Sequence, residues 1–263
     1  MAKKKGRKQP VGRAPRRGPA KSGTSRIVGG IAVVAVLGIA IAVAGWWFLV
    51  REDAQLATSP LAISSEDAGS VPAANAEGDV VFTIVQSHPA VSGSTTAAYF
   101  SGEKLARLSV PSTATGSTSD VSGQIVLSDS GLSTDAESKI TIGLTSLRSN
   151  ERIRDGRVQD ALQTNLFPEA TFVATGLTGY PEVFPENEEV AMRLTGMLSI
   201  HGVESEVTWE VIATRSGDVL TVLATLETRY RDWNVPVLNI GGFVSVEEDF
   251  TLQIRFIAVA SEG

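Results

Sequence analysis

The chain of 263 residues contains no cysteine. Disulfide bonds, zinc–thiolate sites and catalysis by a thiol are therefore excluded. A domain without cross-links must be stabilised by its own core, and a domain of this size buries roughly 70% of its surface on folding. We therefore expect one globular domain that folds without disulfides.

Histidine is nearly absent as well, since His88 and His201 are the only two. Neither has a nearby cluster of carboxylates, so they do not make a metal site. His201 precedes Gly202 in a predicted turn, where local hydrogen bonding explains it, and His88 precedes Pro89 at a strand end. The sequence also lacks a G-x-S-x-G elbow, a P-loop and a G-x-G-x-x-G motif. We therefore expect neither a cofactor nor an enzyme, and no residue can be nominated for a hydrolase.

Acidic residues are missing from residues 1–26, which carry ten Lys or Arg. The next 24 residues, Ile27–Val50, have no charged side chain. A helix of that length reaches roughly 36 Å, enough to cross a hydrocarbon core of about 30 Å. Trp46 and Trp47 lie near one end, where indole rings favour the membrane interface. The stretch predicts one transmembrane helix rather than a buried core helix.

The basic flank sets the expected orientation, because Lys and Arg are retained in the cytoplasm. The sequence predicts a single-pass plasma-membrane protein with a basic cytoplasmic tail at 1–26 and an extracytoplasmic C-terminal domain. The tail has no interleaved aromatic residues, so we expect it to be attracted to anionic lipid and not to nucleic acid. A cleaved signal peptide stays open as an alternative, since Ala42-Val43-Ala44 resembles a cleavage site; the apolar run that continues to Val50 favours retention.

The rest of the chain changes character at Asp79. Arg51–Gly78 has no sustained hydrophobic period, and we expect a flexible linker at 51–78. From 79 to 263, short alternating β-branched runs are separated by Gly, Asp, Asn and Ser, which is typical of an antiparallel barrel or sandwich. The clearest pair, Val190–Ile200 and the run after His201-Gly202, predicts a hairpin with Glu204, Glu206 and Glu210 on its solvated face.

Other strands are predicted at residues 80–86, 121–128, 138–147, 220–226 and 250–256, and around 172–174. Ser149–Leu162 predicts a short amphipathic helix, capped by Ser149 or Asn150, with Ile153, Val158, Ala161 and Leu162 on one side. We expect loops over the rim at Pro89–Asp120 and Trp233–Gly242. Because closure removes exposed edges, we favour a mainly β, eight-stranded antiparallel barrel with a short helix over a sandwich, preceded by one transmembrane helix.

Three motifs in this order carry a resemblance: LRSNERIRD at 147–155, LFPEATF at 166–172 and LTGMLSIHGV at 194–203. The chain resembles the YceI-like family over roughly residues 79–260. This resemblance implies a lipocalin-like antiparallel β-barrel that binds polyisoprenoid lipids, including isoprenoid quinones. The sequence departs from many relatives in its membrane segment, in the inserted stretch 179–189 and in the long stretch before Asp120.

The candidate ligand-binding residues are one polar and five apolar side chains. Arg154, next to Asp155 in the helix motif, either contacts a lipid head group or forms an ion pair that holds the helix on the barrel. Inward-facing apolar residues line a lipid tunnel or fill an ordinary core: Phe167, Phe172, Leu198, Trp209 and Phe256. The sequence thus predicts a membrane-anchored extracytoplasmic lipid-binding protein that holds an isoprenoid lipid or quinone and contacts the bilayer through Ile27–Val50. The alternative is an envelope scaffold or adhesion barrel with a packed interior and no small ligand.

Overall fold

A computed structural model describes residues 55–70, 78–105, 108–237, 239–240 and 244–261. All of them belong to one compact unit, Asp53–Gly263. The basic tail and the apolar stretch Ile27–Val50 lie outside the described residues. Within the described ranges, no helix combines the length and the hydropathy needed to cross a membrane.

The described elements are mainly strands. The strands are β1 (Val80–Val85), β2 (Thr96–Leu105), β3 (Leu108–Thr118), β4 (Val121–Ser128), β5 (Gly131–Leu132), β6 (Lys139–Gly143), β7 (Arg148–Ser149), β8 (Glu169–Thr178), β9 (Val190–Ile200), β10 (Val203–Ser216), β11 (Val219–Arg229), β12 (Asn239–Ile240) and β13 (Val244–Ser261). A single α-helix of the described ranges, α1 (Arg152–Ala161), lies between β7 and β8, and a 3₁₀ turn (Tyr230–Trp233) follows β11.

Eight strands close into a barrel, in the order β1-β4-β6-β8-β9-β10-β11-β13. The ring is closed by β1 on β13, where Val85 lies opposite Ile257, and every pairing between these strands is antiparallel. The expected antiparallel barrel of eight strands with a short helix is therefore confirmed. Closure leaves no edge strand in the ring, which removes the unpaired backbone groups that an open sheet would expose.

The stretch 89–120 is not the rim loop that its sequence suggested. It contains β2 and β3, a ribbon that pairs with the first half of β13, while β1 pairs with the second half. The inner face of the ribbon carries small residues such as Ala97 and Ala114, both buried. Because these strands are rich in Ser, Thr, Ala and Gly, they lack the hydrophobic alternation by which the other strands could be predicted. The second expected rim loop, 233–242, contains the short strand β12.

Part of the predicted linker packs on the outside of the barrel. Leu61 forms a small buried cluster with Val91, Val219 and Ile257 on the outer face of the wall. Gln253 of β13 binds the same segment at Ala57. Its side chain accepts a hydrogen bond from the Ala57 N–H and donates one to the Ala57 carbonyl, both at 2.9 Å. These contacts differ from the flexible tether that we expected at 51–78.

The barrel interior is densely filled at one end. This is the end of the β10–β11 turn, where Phe82, Ile125, Met192, Val211 and Leu220 meet in the main core. Phe172 and Phe256 also belong to this core and are almost fully buried. The opposite end carries α1, the 3₁₀ turn and the β9–β10 turn, because neighbouring antiparallel strands place these connections on the same side.

Candidate functional site

A cavity of about 120 Å³ lies inside the barrel at the α1 end. Its wall is almost entirely apolar. The lining residues come from eight elements and the connections between them: Ala97, Ala98, Tyr99, Ile142, Leu144, Leu147, Val158, Ala161, Leu162, Ala170, Leu198, Ile200, Trp209, Tyr230, Trp233, Val235, Phe250, Leu252, Gln253 and Ile254. An apolar cavity of this kind suits a hydrophobic ligand and has no charged side chain in its wall.

The side of the cavity nearest the packed end is built on neighbouring strands. Leu198 of β9 and Trp209 of β10 both line it, and both are nearly fully buried. The Trp209 indole meets the Phe172 ring edge-on, with ring centroids 6.0 Å apart. Phe172 therefore packs against a residue of the cavity wall and does not itself line the cavity.

Helix α1 covers the cavity, yet it is held mainly by polar contacts. Its residues Val158 and Ala161, with Leu162 at its C-cap, face the cavity, but no residue of the helix is buried. The Asp155 carboxylate accepts hydrogen bonds from the Ser149 backbone N–H at 2.7 Å and from the Ser149 hydroxyl at 2.6 Å. At the other end, the Gln159 amide donates to the Leu144 carbonyl at 2.9 Å. The helix is thus a lid with few apolar contacts, which lowers the free energy needed to displace it.

Two expectations about this helix were wrong. Ile153 does not join the apolar side, since its side chain is exposed. The N-cap residue is Glu151, without a capping hydrogen bond from its side chain, rather than Ser149 or Asn150. Ser149 instead binds Asp155 from outside the helix, so the carboxylate in the first turn organises the N-terminus.

The 3₁₀ turn closes the same end beside the helix. Trp233 is almost fully buried, and its indole N–H donates to the Thr228 hydroxyl at 2.9 Å. Its carbonyl accepts a hydrogen bond from His201 Nδ1 at 3.1 Å, which fixes the proton on that nitrogen because a carbonyl can only accept. His201 therefore links two connections of the rim, a longer-range role than the local bonding expected from the sequence.

Residues His201 and Gly202 form the tight turn of the predicted hairpin, and both have positive φ, of 53° and 75°. The Phe167 ring packs edge-on against His201, with centroids 5.2 Å apart. A Cβ on Gly202 would lie 2.7 Å from the Phe167 ring, so only glycine fits here. Phe167 thus fixes the rim turn from outside and is not a cavity residue.

Several polar groups border the cavity without bringing charge into it. The buried Trp209 indole N–H finds no hydrogen-bond acceptor among the described residues. Burial raises the pKa of the Tyr99 phenol well above its ordinary value, against the opposing effect of the Arg154 guanidinium, and burial likewise raises the pKa of Tyr230. Both phenols are therefore neutral hydrogen-bonding groups at physiological pH.

Arg154 lies between the helix and the β2 strand. Its guanidinium is 3.5 Å from the Glu103 carboxylate and donates to the Asn150 side-chain carbonyl at 3.0 Å. The ion pair links α1 to the β2–β3 ribbon, which is the structural alternative of the two that the sequence left open. The guanidinium is not part of the cavity wall.

The structure brings only two of the six sequence-predicted residues, Leu198 and Trp209, to the cavity surface. Phe172 supports it, Phe256 lies in the packed end, and Phe167 and Arg154 hold the rim. Sequence reasoning missed the aromatic residues Tyr99, Tyr230, Trp233 and Phe250. The strand alternation of Phe250 could have identified it, whereas Tyr99 lies in a strand that was not predicted.

A family model described as YceI-like domain matches residues 82–258. The search of curated proteins gave no match. A polyisoprenoid-binding domain from Saccharophagus degradans, implicated in plant cell wall breakdown, is similar in structure, with a TM-score of 0.52, 18% identity, and coverage of 69% of this chain and 98% of that one.

Two further crystal structures resemble the chain at lower TM-scores. BcnA of Burkholderia cenocepacia has a TM-score of 0.47 and 19% identity, and covers 63% of this chain and 96% of its own. The YceI protein of Campylobacter jejuni has a TM-score of 0.44 and 15% identity, with 56% and 85% covered.

Proposed function

The chain belongs to the YceI-like domain family, and we propose that it is a membrane-anchored extracytoplasmic protein that holds an isoprenoid lipid in its barrel. The observation that carries this proposal is the apolar cavity inside the α1 end of the barrel, beside a densely packed opposite end. The Saccharophagus degradans domain of similar fold binds polyisoprenoid. We extend that property to this chain because its own interior offers an apolar site.

The chemistry of the wall favours a neutral ligand. No Lys, Arg, Asp or Glu is among the lining residues, so a diphosphate head group would be buried without a counter-charge, which is costly. The free indole N–H of Trp209 and the phenol of Tyr99 are neutral groups that suit a carbonyl or hydroxyl oxygen. An isoprenoid quinone or a polyprenol meets these requirements, and each buried CH₂ group of its chain contributes about 0.8 kcal/mol.

The size of the cavity implies that the lid moves. A cavity of about 120 Å³ is comparable with engineered apolar cavities of about 150 Å³ that hold one benzene molecule. A chain of several isoprene units therefore needs α1 or the 3₁₀ turn to shift outward. The absence of buried residues in α1 makes the helix the element that yields.

The setting follows from the N-terminal part of the sequence. Ile27–Val50 would anchor the chain in the plasma membrane once, with residues 1–26 in the cytoplasm and the barrel outside. Leu61 and its neighbours pack on the barrel, so fewer residues than the predicted linker 51–78 would separate the proposed anchor from the barrel. Within the described ranges no three His, Asp or Glu side chains form a metal site, and we propose a binding protein rather than an enzyme.

The test is a thermal-shift titration of the full chain in detergent. The ligands are a polyprenol, an isoprenoid quinone and a saturated alcohol of equal carbon number. Binding at a hundred times Kd stabilises a protein by about 2.7 kcal/mol. We expect stabilisation by one or both isoprenoids and not by the saturated alcohol. Equal responses to all three, or to none, would rule out a specific isoprenoid site.

A further inference from the structure

The inner face of β2 changes from apolar to polar along its length. Side chains two residues apart point to the same face of a strand, so four residues of β2 face the interior: Ala97, Tyr99, Ser101 and Glu103. Ala97 and Tyr99 line the cavity, and the other two continue the row beyond it. Tyr230, in the 3₁₀ turn, also lines the cavity, and its phenol is close to Ser101 and Glu103. We call the four polar side chains the polar row: Tyr99, Ser101, Glu103 and Tyr230.

The Tyr99 phenol lies across β3 toward the lid. Tyr99 pairs with Gly116 of β3, and a Cβ on Gly116 would lie 3.0 Å from the phenol oxygen and 2.6 Å from a ring carbon. The missing side chain therefore leaves the space that the ring occupies. Gly116 also pairs with Ser149 of β7, which precedes α1, so the phenol lies at the N-terminal end of the lid. Burial raises the pKa of this phenol, and the charges of Arg154 and Asp155 in α1 also act on it.

Ser101 carries a hydroxyl that is buried without a partner. The residue is 2% exposed, and its Oγ forms no hydrogen bond with another described residue. Ser101 lies opposite Phe250 of β13, a residue of the cavity wall. The Tyr230 ring stacks on Phe250, with ring centroids 4.4 Å apart. Because buried polar groups in folded proteins are normally paired, this hydroxyl indicates a position for a ligand oxygen.

Helix α1 covers two chemically different regions. Val158 and Ala161, in its C-terminal half, face the apolar cavity. In its N-terminal half, the Arg154 guanidinium lies 3.5 Å from the Glu103 carboxylate, at the far end of the polar row. A molecule beneath this lid therefore meets hydroxyl groups at one end and hydrocarbon at the other, which matches a lipid with a polar head and an isoprenoid chain.

The charges around the polar row favour a neutral head group. The ionised groups that act on the two phenols are one cation, Arg154, and two anions, Glu103 and Asp155. A phosphate would add negative charge to a partly buried region that already has an excess of it. The phenols are neutral, and each can donate a hydrogen bond to a carbonyl oxygen. The stacked Tyr230–Phe250 pair adds an aromatic surface on which a flat ring can pack.

We propose that the polar row is a head-group site for an isoprenoid quinone. The hydroxyl groups of Tyr99, Ser101 and Tyr230 surround the quinone carbonyl, and the chain extends through the cavity toward Leu198. The head group reaches this position when α1 moves outward and its ion pair with β2 opens. The inference rests on the proposed carriage of an isoprenoid, and it adds the position and the chemical class of the head group.

Phenol variants test hydrogen bonding to the head group. The probes are a naphthoquinone with a geranyl chain and the geranyl naphthalene that lacks both quinone oxygens, each titrated into the full chain in detergent. We expect Tyr99→Phe and Tyr230→Phe each to weaken quinone binding about fivefold, the value of one neutral hydrogen bond, and to leave hydrocarbon binding unchanged. The matched control Tyr180→Phe, in the β8–β9 connection and outside the cavity wall, should change neither affinity.

Ser101→Ala separates a binding role from a structural one. Because the hydroxyl is unpaired in the ligand-free protein, its removal relieves the cost of burying it. We expect the ligand-free variant to be at least as stable as the wild type in chemical denaturation, and its affinity for the quinone to fall. In the infrared spectrum, the carbonyl stretch of the bound quinone should lie at lower frequency in the wild type than in the variants, because hydrogen bonding weakens the C=O bond.

Three results would overturn this proposal and leave isoprenoid carriage intact. They are a quinone affinity that changes no more than the hydrocarbon affinity in the phenol variants, a carbonyl frequency that is the same in the wild type and in Tyr99→Phe, and tighter binding of geranyl diphosphate than of the quinone. Failure of every probe to bind would instead refute the proposed function and the head-group site together.

Discussion

A larger side chain in the cavity wall distinguishes a barrel with a ligand-sized cavity from a barrel with a packed interior. Ala97 lines the cavity on β2, and Ala97→Leu adds three carbon atoms to its wall. At about 0.8 kcal/mol for each buried carbon, the ligand-free protein gains up to about 2.4 kcal/mol of unfolding free energy. The same carbons displace part of the ligand, so isoprenoid binding should weaken roughly 60-fold.

The matched control is Ala213→Leu in the packed end. Ala213 is almost fully buried in the main core and does not line the cavity. Overpacking there should cost about 1–3 kcal/mol. Chemical denaturation and a ligand titration measure both variants. Loss of stability in both, or unchanged binding by Ala97→Leu, would refute the assignment of the cavity.

Three further outcomes are expected. Burial raises the pKa of the Tyr99 phenol in the folded state. The folded protein therefore keeps a proton that the unfolded chain releases above about pH 10. The contribution of this group to the unfolding free energy is complete below that pH and is lost as the pH rises. Tyr99→Phe should therefore flatten the alkaline fall of the unfolding free energy measured by denaturation. In intact cells, a membrane-impermeant maleimide should label Ser130→Cys in an exposed turn, and should label Ser22→Cys only after lysis; the reverse pattern would contradict the proposed orientation. Gln253→Leu removes the bonds to residue 57, so limited proteolysis should cut residues 57–69 faster while the barrel stays intact.

The parts of the fold that follow a hydrophobic period were predictable. In β9 and β10 the alternation places Leu198 and Trp209 inside and Glu206 outside, as observed. The strand β2 was not predictable in this way, because its inner face begins with Ala97 and its composition is typical of a loop. A ribbon held by backbone hydrogen bonds to β13 leaves no hydrophobic stripe in its own sequence.

The cavity itself could not be predicted, for a different reason. An inward-facing Leu198 and an inward-facing Phe256 follow the same alternation, yet one lines the cavity and the other lies in the packed end. The difference depends on what lies opposite: small residues such as Ala97 and Ala170 leave space at the α1 end. That information comes from strands far apart in the sequence, and only the closed ring brings them together.

The alternative hypothesis, a scaffold barrel with a packed interior, fits only one end of the barrel. The end of the β10–β11 turn is filled around Phe256 and Leu220, and the cavity lies at the α1 end. A ligand confined to that end lies next to the lid α1.

Native mass spectrometry of the full chain, purified from its own membranes in mild detergent without added lipid, tests isoprenoid carriage most directly. We expect one bound molecule whose mass matches a polyprenol or an isoprenoid quinone, and a reduced bound fraction in Ala97→Leu. A ligand-free protein, or adducts that match only phospholipid and do not change in Ala97→Leu, would contradict the account.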